Sequence, residues 1–162
     1  MLFAREALGH AGAGDAPSAS AALRRARRLA NRASDDGEPD WLDLHKPGGL
    51  ASHEHRVALT IGDLAAAEDA ARTALALNDP IAYPRNHALD LVNLADVLAQ
   101  RRKIDESASV ASQAAAAAAD LDSGRVTQGL RAVARRLAPF HEDPSVGPHL
   151  DAINAALPAS TA

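Results

Sequence analysis

Apolar and small residues recur along this chain at helical spacing. Leu91, Leu94, Ala95 and Leu98 fall on one stripe of a 3.6-residue helix. A polar break follows at Arg101-Arg102-Lys103, and a second amphipathic segment opens at Ile104 and carries Ala108, Ala111 and Ala114 inward. Upstream the same frame repeats. Gly62-Asp63 makes the break, Ala67, Ala71 and Ala74 take the places of Ser107, Ala111 and Ala114, and Pro80 closes the segment because proline cannot continue a helix. Helix pairs are thus predicted over 50–80 (helices 50–61 and 63–78) and 84–120 (helices 84–101 and 104–120), with Pro84 in a first turn where its missing N–H costs nothing.

The flanks follow the same logic. A helix is predicted over 2–11, and Gly14-Asp15 echoes Gly62-Asp63, with Asp15 capping a helix over 17–33 that turns Leu23, Ala26, Leu29 and Ala30 inward. Residues 34–49 form an irregular linker broken by Gly37, Pro39, Pro47, Gly48 and Gly49, whose Trp41, Leu42 and Leu44 are expected to fold back as a plug over helix ends. Ser123 caps a helix to about Ala138 carrying Val126, Leu130, Val133, Ala134 and Leu137, and Asp143-Pro144 opens a last helix with Val146, Leu150, Ile153, Ala156 and Leu157 on its stripe. Residues 158–162 read as a frayed tail. The chain is expected to be one all-α domain over 1–162, with about seven to eight helices.

Gly62-Asp63, Ala67, Ala74 and Pro80 resemble the signature of the tetratricopeptide repeat: a turn glycine, small residues early and late in helix B, and a closing proline. The second copy matches at Leu91, Leu94, Ala95, Leu98 and Ala114, with Arg102 for the turn glycine and Ser107 for the helix-B alanine. Ala51, Ala58 and Ala71 in one copy, and Leu91, Leu98 and Ala111 in the other, stand where the signature has aromatics. The copies lie 102 − 62 = 40 residues apart, against roughly 34 in the standard repeat. From about Trp41 to Leu157 the chain is similar to the C-terminal repeat region of actinobacterial helix-turn-helix (XRE-type) transcription regulators. The resemblance implies a right-handed α-solenoid of antiparallel helix pairs: a degraded first repeat over 1–33, the linker 34–49, repeats over 50–80 and 84–120, and a C-terminal helix pair over 123–157. The chain begins directly in repeat material, so it is expected to be a fragment of such a regulator or a chain whose upstream partner has been lost, without the DNA-binding part.

Composition narrows the chemistry. Apolar residues make up 47% and aromatics 2%, so the core must be built from Ala, Leu, Val and Ile. There is no cysteine, hence neither a disulfide nor a thiolate metal site, and a net charge of −4 argues against a general nucleic-acid binder. No apolar run approaches the roughly 20 residues that span a bilayer, and the first residues lack a secretory pattern, so a cytoplasmic location is expected.

Candidate chemistry is sparse. On a helix, His53 and His55 point about 200° apart and cannot share an ion, so both read as solvated. His141, Glu142, Asp143 and His149 read as capping and surface residues. The stretch AGAGDA at Ala11–Ala16 lacks the Lys-Ser/Thr of a phosphate loop. The clusters Arg24-Arg25/Arg27-Arg28, Arg101-Arg102-Lys103 and Arg131/Arg135-Arg136 read as solvated faces and helix C-termini. No catalytic residue, metal or cofactor is expected.

In a tetratricopeptide stack the A helices line the concave face, which here nominates Arg56 and Thr60, then Arg85, His87, Asn93, Asp96 and Gln100, then Arg125 and Gln128, with Ser52, Leu89 and Val92 beside them. Asn93, Asp96 and Gln100 form a polar ladder three and four residues apart. Such a face suits a peptide or protein segment, with Arg56, Arg85 and Arg125 pairing its carboxylates. The expected function is a non-enzymatic peptide-binding module, the sensor or oligomerisation region of a transcription regulator. The alternative is a free-standing adaptor that stacks with itself or another protein, with no link to transcription. Direct nucleic-acid or membrane binding is not expected.

Overall fold

The computed structural model describes residues 2–35 and 47–157, and among them the chain is all-α. Eight α-helices follow one another: α1 (Leu2–Gly12), α2 (Ala16–Asp35), α3 (Pro47–Thr60), α4 (Leu64–Leu77), α5 (Pro84–Gln100), α6 (Ile104–Ala117), α7 (Gly124–Leu137) and α8 (Gly147–Ala156), with a 3-10 turn at Ala138–Phe140. Trp41, the expected plug, lies outside the described residues.

Three of the connections are built alike. After α1, α3 and α5 a residue with positive φ ends the helix: Gly14 at 78°, Gly62 at 81° and Arg102 at 63°. In each case its N–H donates to the carbonyl three residues back, and the next N–H reaches the carbonyl five back: Asp15 to His10 at 2.9 Å, Asp63 to Ala58 at 2.9 Å, Lys103 to Leu98 at 3.0 Å. This is the Schellman pattern, which satisfies the orphan carbonyls of a helix end and favours glycine at the left-handed residue. Asp15 and Asp63 then begin the following helix, each Oδ1 accepting an N–H at 3.0 Å, from Ser18 and Ala66. Lys103 stands in that place before α6 and makes no side-chain cap.

The chain divides into two compact units, Met1–Leu77 and Asn78–Ala162. In the first, α1 packs on α2 and α3, and α3 on α4. Ala7, Ala11, Ala19, Ala22 and Val57 form its core, with Leu8 and Leu23 against them. In the second, α5 packs on α6 and α7, and α6 on α8. Its interior holds Leu91, Leu94, Leu98, Val126, Leu130, Val133, Leu137, Val146, Leu150 and Ile153, all buried. Small residues set the distances. Ala67, Ala71, Ala74, Ala108, Ala111 and Ala114 are buried as the periodicity predicts, and a Cβ built on Gly129 of α7 would sit 2.4 Å from Val92 Cγ1 of α5.

A buried polar link ties each central pair. His55 Nδ1–H donates to the Ala67 carbonyl at 2.9 Å, joining α3 to α4. Ser107 Oγ donates to the Ala95 carbonyl at 2.7 Å, joining α6 to α5. Shifted by 40 residues, 55 becomes 95 and 67 becomes 107. The two crossings therefore use the same pair of positions with the donor on opposite helices.

Several sequence expectations are corrected. Residues 47–49 belong to α3, since proline and glycine are tolerated in a first turn. His55 is buried rather than solvated, because the Ala67 carbonyl meets its ring. Leu29, expected inside, is exposed. Ser123 occupies the N-cap position of α7 without a side-chain cap bond. Asp143-Pro144 does not open α8: the Asp143 carboxylate accepts the Ser145 N–H at 2.9 Å in a preceding turn, and the helix starts at Gly147. Gly147 is required there, because a Cβ would meet the His141 carbonyl oxygen at 2.5 Å. Ala156 is exposed and Leu157 half-buried.

Candidate functional site

The nine residues nominated for a ligand surface fall in both units. In the first, Arg56 and Thr60 are exposed on α3, and the Thr60 hydroxyl donates back to the Arg56 carbonyl at 2.7 Å. Ser52 likewise donates to the Gly48 carbonyl at 2.9 Å. Neither hydroxyl is free to greet a ligand without giving up a bond.

In the second unit, α5 carries five of them. His87 Nδ1–H donates to the Asn78 carbonyl at 3.1 Å, and Arg85 Nη2 donates to the Asp122 carbonyl at 3.2 Å, so both close the ends of connections. The ladder exists as an i,i+4 bond, Gln100 Nε2 to Asp96 Oδ2 at 2.8 Å. Its carboxylate is engaged on the other side as well, because Arg136 Nε reaches over from α7 to Asp96 Oδ1 at 2.9 Å. Arg136, expected on a solvated face, is exposed there and pairs with an acid of the neighbouring helix as well. Asn93 is half-buried, while Arg125 and Gln128 are exposed on α7. Val92 is buried against Gly129 and Leu89 half-buried, so α5 offers little apolar surface.

A concave feature of the first unit lies on another face of α3. Glu54, Val57, Ala58 and Ile61 line a trough of about 550 Å³, walled by Ser20, Leu23 and Arg27 of α2 and by Asp63 with Ala66, Asp69, Ala70 and Thr73 of α4. The spacings are those of single helical stripes, so the trough runs along the helices. Its origin is legible against the second copy. At the 40-residue offset, Glu54 and Ala58, which line it, stand where Leu94 and Leu98 fill the other pair. A charged and a shorter side chain replace two leucines. The walls are also parted: α6 packs on α8 in the second unit, whereas α2 and α4 make no comparable packing contact.

Charge at the trough is arranged in two parts. Arg27 and Glu54 form a bidentate pair, Nη2 to Oε2 at 2.8 Å and Nε to Oε1, which neutralises both and pushes the Arg27 guanidinium above its ordinary range through the hydrogen bond and charge of Glu54. Asp63 spends one oxygen capping α4. Asp69 adds a second carboxylate on the same wall. The rim is therefore acidic along α4 over an apolar floor.

The histidines have other work. His53, half-buried on α3, has its Nδ1 buried without a hydrogen-bond partner, and burial followed by the charges of Arg56 and Arg5 pushes its pKa down. His141 is held up by Asp151, whose Oδ1 lies 3.0 Å from Nε2. Among the described residues no group of three or more His, Asp or Glu is placed to hold a metal ion, and no helix is long and apolar enough to cross a membrane.

No protein-family model matches the chain, and no curated protein or solved structure matches it either.

Proposed function

We propose that this chain is a non-enzymatic peptide-binding module: a right-handed α-solenoid of antiparallel helix pairs of the tetratricopeptide kind. The observation that carries the reading is the trough on α3, an apolar floor with an unequal charged rim, at a volume within the ~300–1,000 Å³ typical of ligand sites. Supporting it are three turns of one design and two polar crossings at equivalent positions, as expected of stacked copies of one unit. The likeness of its repeats to those of helix-turn-helix regulators supports a place as a sensor or oligomerisation arm. An in-frame upstream segment encoding two short helices joined by a tight turn would support that placement.

The test is selection from a random peptide display library on the immobilised chain. Enrichment of a peptide family that binds in solution with a 1:1 stoichiometry is the expected result. Failure to enrich any peptide over blank resin would refute the reading.

A further inference from the structure

The trough's own chemistry narrows what it takes, granted that the module binds peptides at all. Leu23 of α2, Ile61 just past the end of α3, and Ala66 and Ala70 of α4 present the accessible aliphatic surface of the trough, above the buried Val57 and Ala58. Its α3 side runs from Glu54 to Ile61, a length of about 10 Å at 1.5 Å per residue. Ile61 is exposed, as is Leu29 on α2, although both are large aliphatic residues. On the α2 side the charge is cancelled, because Arg27 and Glu54 satisfy each other. On the α4 side it is not: Asp63 and Asp69 leave a net negative wall. Six residues separate these two carboxylates, about 9 Å along the helix axis. Where α6 packs directly on α8 in the other unit, α2 and α4 make no comparable contact, which leaves the groove between them open.

We infer that the trough between α2, α3 and α4 receives an amphipathic helical peptide whose aliphatic stripe lies against Leu23, Ile61, Ala66 and Ala70 and whose flank sets two basic residues, about two turns apart, against Asp63 and Asp69. The aliphatic side chains supply affinity by leaving water, and the one-sided carboxylates fix orientation and exclude acidic segments. Recognition of this kind weakens with salt, because the rim is exposed. A purely apolar small molecule would fill the floor and ignore the rim, which separates it from a peptide in the assay below.

The experiment is titration calorimetry of the full chain with two synthetic 14-residue peptides. Both carry leucines at positions i, i+3, i+4 and i+7; one has lysines seven apart on the flank, the other glutamates. The lysine peptide binds, and the glutamate peptide binds about tenfold more weakly at low salt. Asp69→Lys inverts that preference. Ala58→Leu, which restores the leucine found at the equivalent position 98, fills the floor and lowers affinity at least tenfold without lowering the melting temperature. Should that variant pack poorly, Ile61→Glu at an exposed position removes the floor's outer edge with the same expected loss. Equal affinity for the two peptides, unchanged binding by Ala58→Leu and Ile61→Glu, or no binding of the lysine peptide overturns the inference. Display-selected peptides that bind these variants as well as the unmodified chain would leave peptide binding standing and take it away from this trough.

Discussion

Gly129→Ala tests the close approach of α5 and α7, and the sign of its effect should depend on the residue opposite. A methyl at position 129 would meet Val92 Cγ1 at 2.4 Å, well inside the roughly 3.5–4.0 Å at which carbon atoms rest. Val92 is buried, and a β-branched side chain has few rotamers to retreat into. Overpacking of this kind costs about 1–3 kcal/mol. Against it stands the gain from replacing glycine inside a helix, about 1 kcal/mol. The net expectation is a loss of about 1 kcal/mol. Val92→Ala alone should cost about 2 kcal/mol through lost burial and a cavity. In that background the clash has gone, so adding Gly129→Ala should now stabilise by about 1 kcal/mol, a coupling of about 2 kcal/mol across the cycle. Urea unfolding followed by circular dichroism gives the energies, and hydrogen exchange at the α5 and α7 amides shows that the change is local. Stabilisation by Gly129→Ala in the unmodified chain, or additivity within about 0.5 kcal/mol, would refute the argument that this glycine is kept for the crossing.

Further predictions follow from the turns, the core and the histidines. Arg102→Gly should stabilise by about 0.5–1 kcal/mol, since a left-handed residue costs an L-amino acid about 1–2 kcal/mol and glycine's extra unfolded-state freedom returns part of that; Gly62→Ala should destabilise by about 1 kcal/mol in the same urea assay. Leu98→Ala, at a position with no exposed surface, should cost about 2–5 kcal/mol. The two histidine shifts have opposite signs. His141, raised by Asp151, lends stability that is complete below the unfolded value of 6.5 and lost as pH rises through the folded value. His53, lowered by burial and nearby cations, contributes stability that is complete above 6.5 and lost as pH falls through the folded value. Stability measured from pH 8 to 5 on His53→Gln and His141→Gln should show opposite changes of slope, and two changes of the same sign would overturn the assignment.

The helices and their buried stripes were readable in the sequence because an Ala- and Leu-based core leaves a clean 3.6-residue period, and because Gly14 and Gly62 mark left-handed turns. Arg102 could be placed as a turn only by its offset from Gly62, since no residue preference points an arginine there. What escaped were partners distant in sequence. Arg136 meets Asp96 across two helices. His55 finds a carbonyl twelve residues on, which turned an apparently solvated side chain into a core one. The trough escaped for a different reason: a cavity is a deficit, and local periodicity registers only what is present. Its signal lay in comparing copies, where Glu54 and Ala58 stand for two leucines. Asp143-Pro144 misled because a capping aspartate serves a turn as well as a helix.

The reversed polar link has a consequence for anyone who would shuffle or average these copies. Because the donor sits on α3 in one pair and on α6 in the other, the helices are not interchangeable parts. A chimera of α5 with α4 would bring alanine to alanine and lose the bond. One of α3 with α6 would press an imidazole and a hydroxyl into a space built for a single polar group. Each pair thus carries a key for its own partner, and a helix-by-helix consensus of the two would erase it.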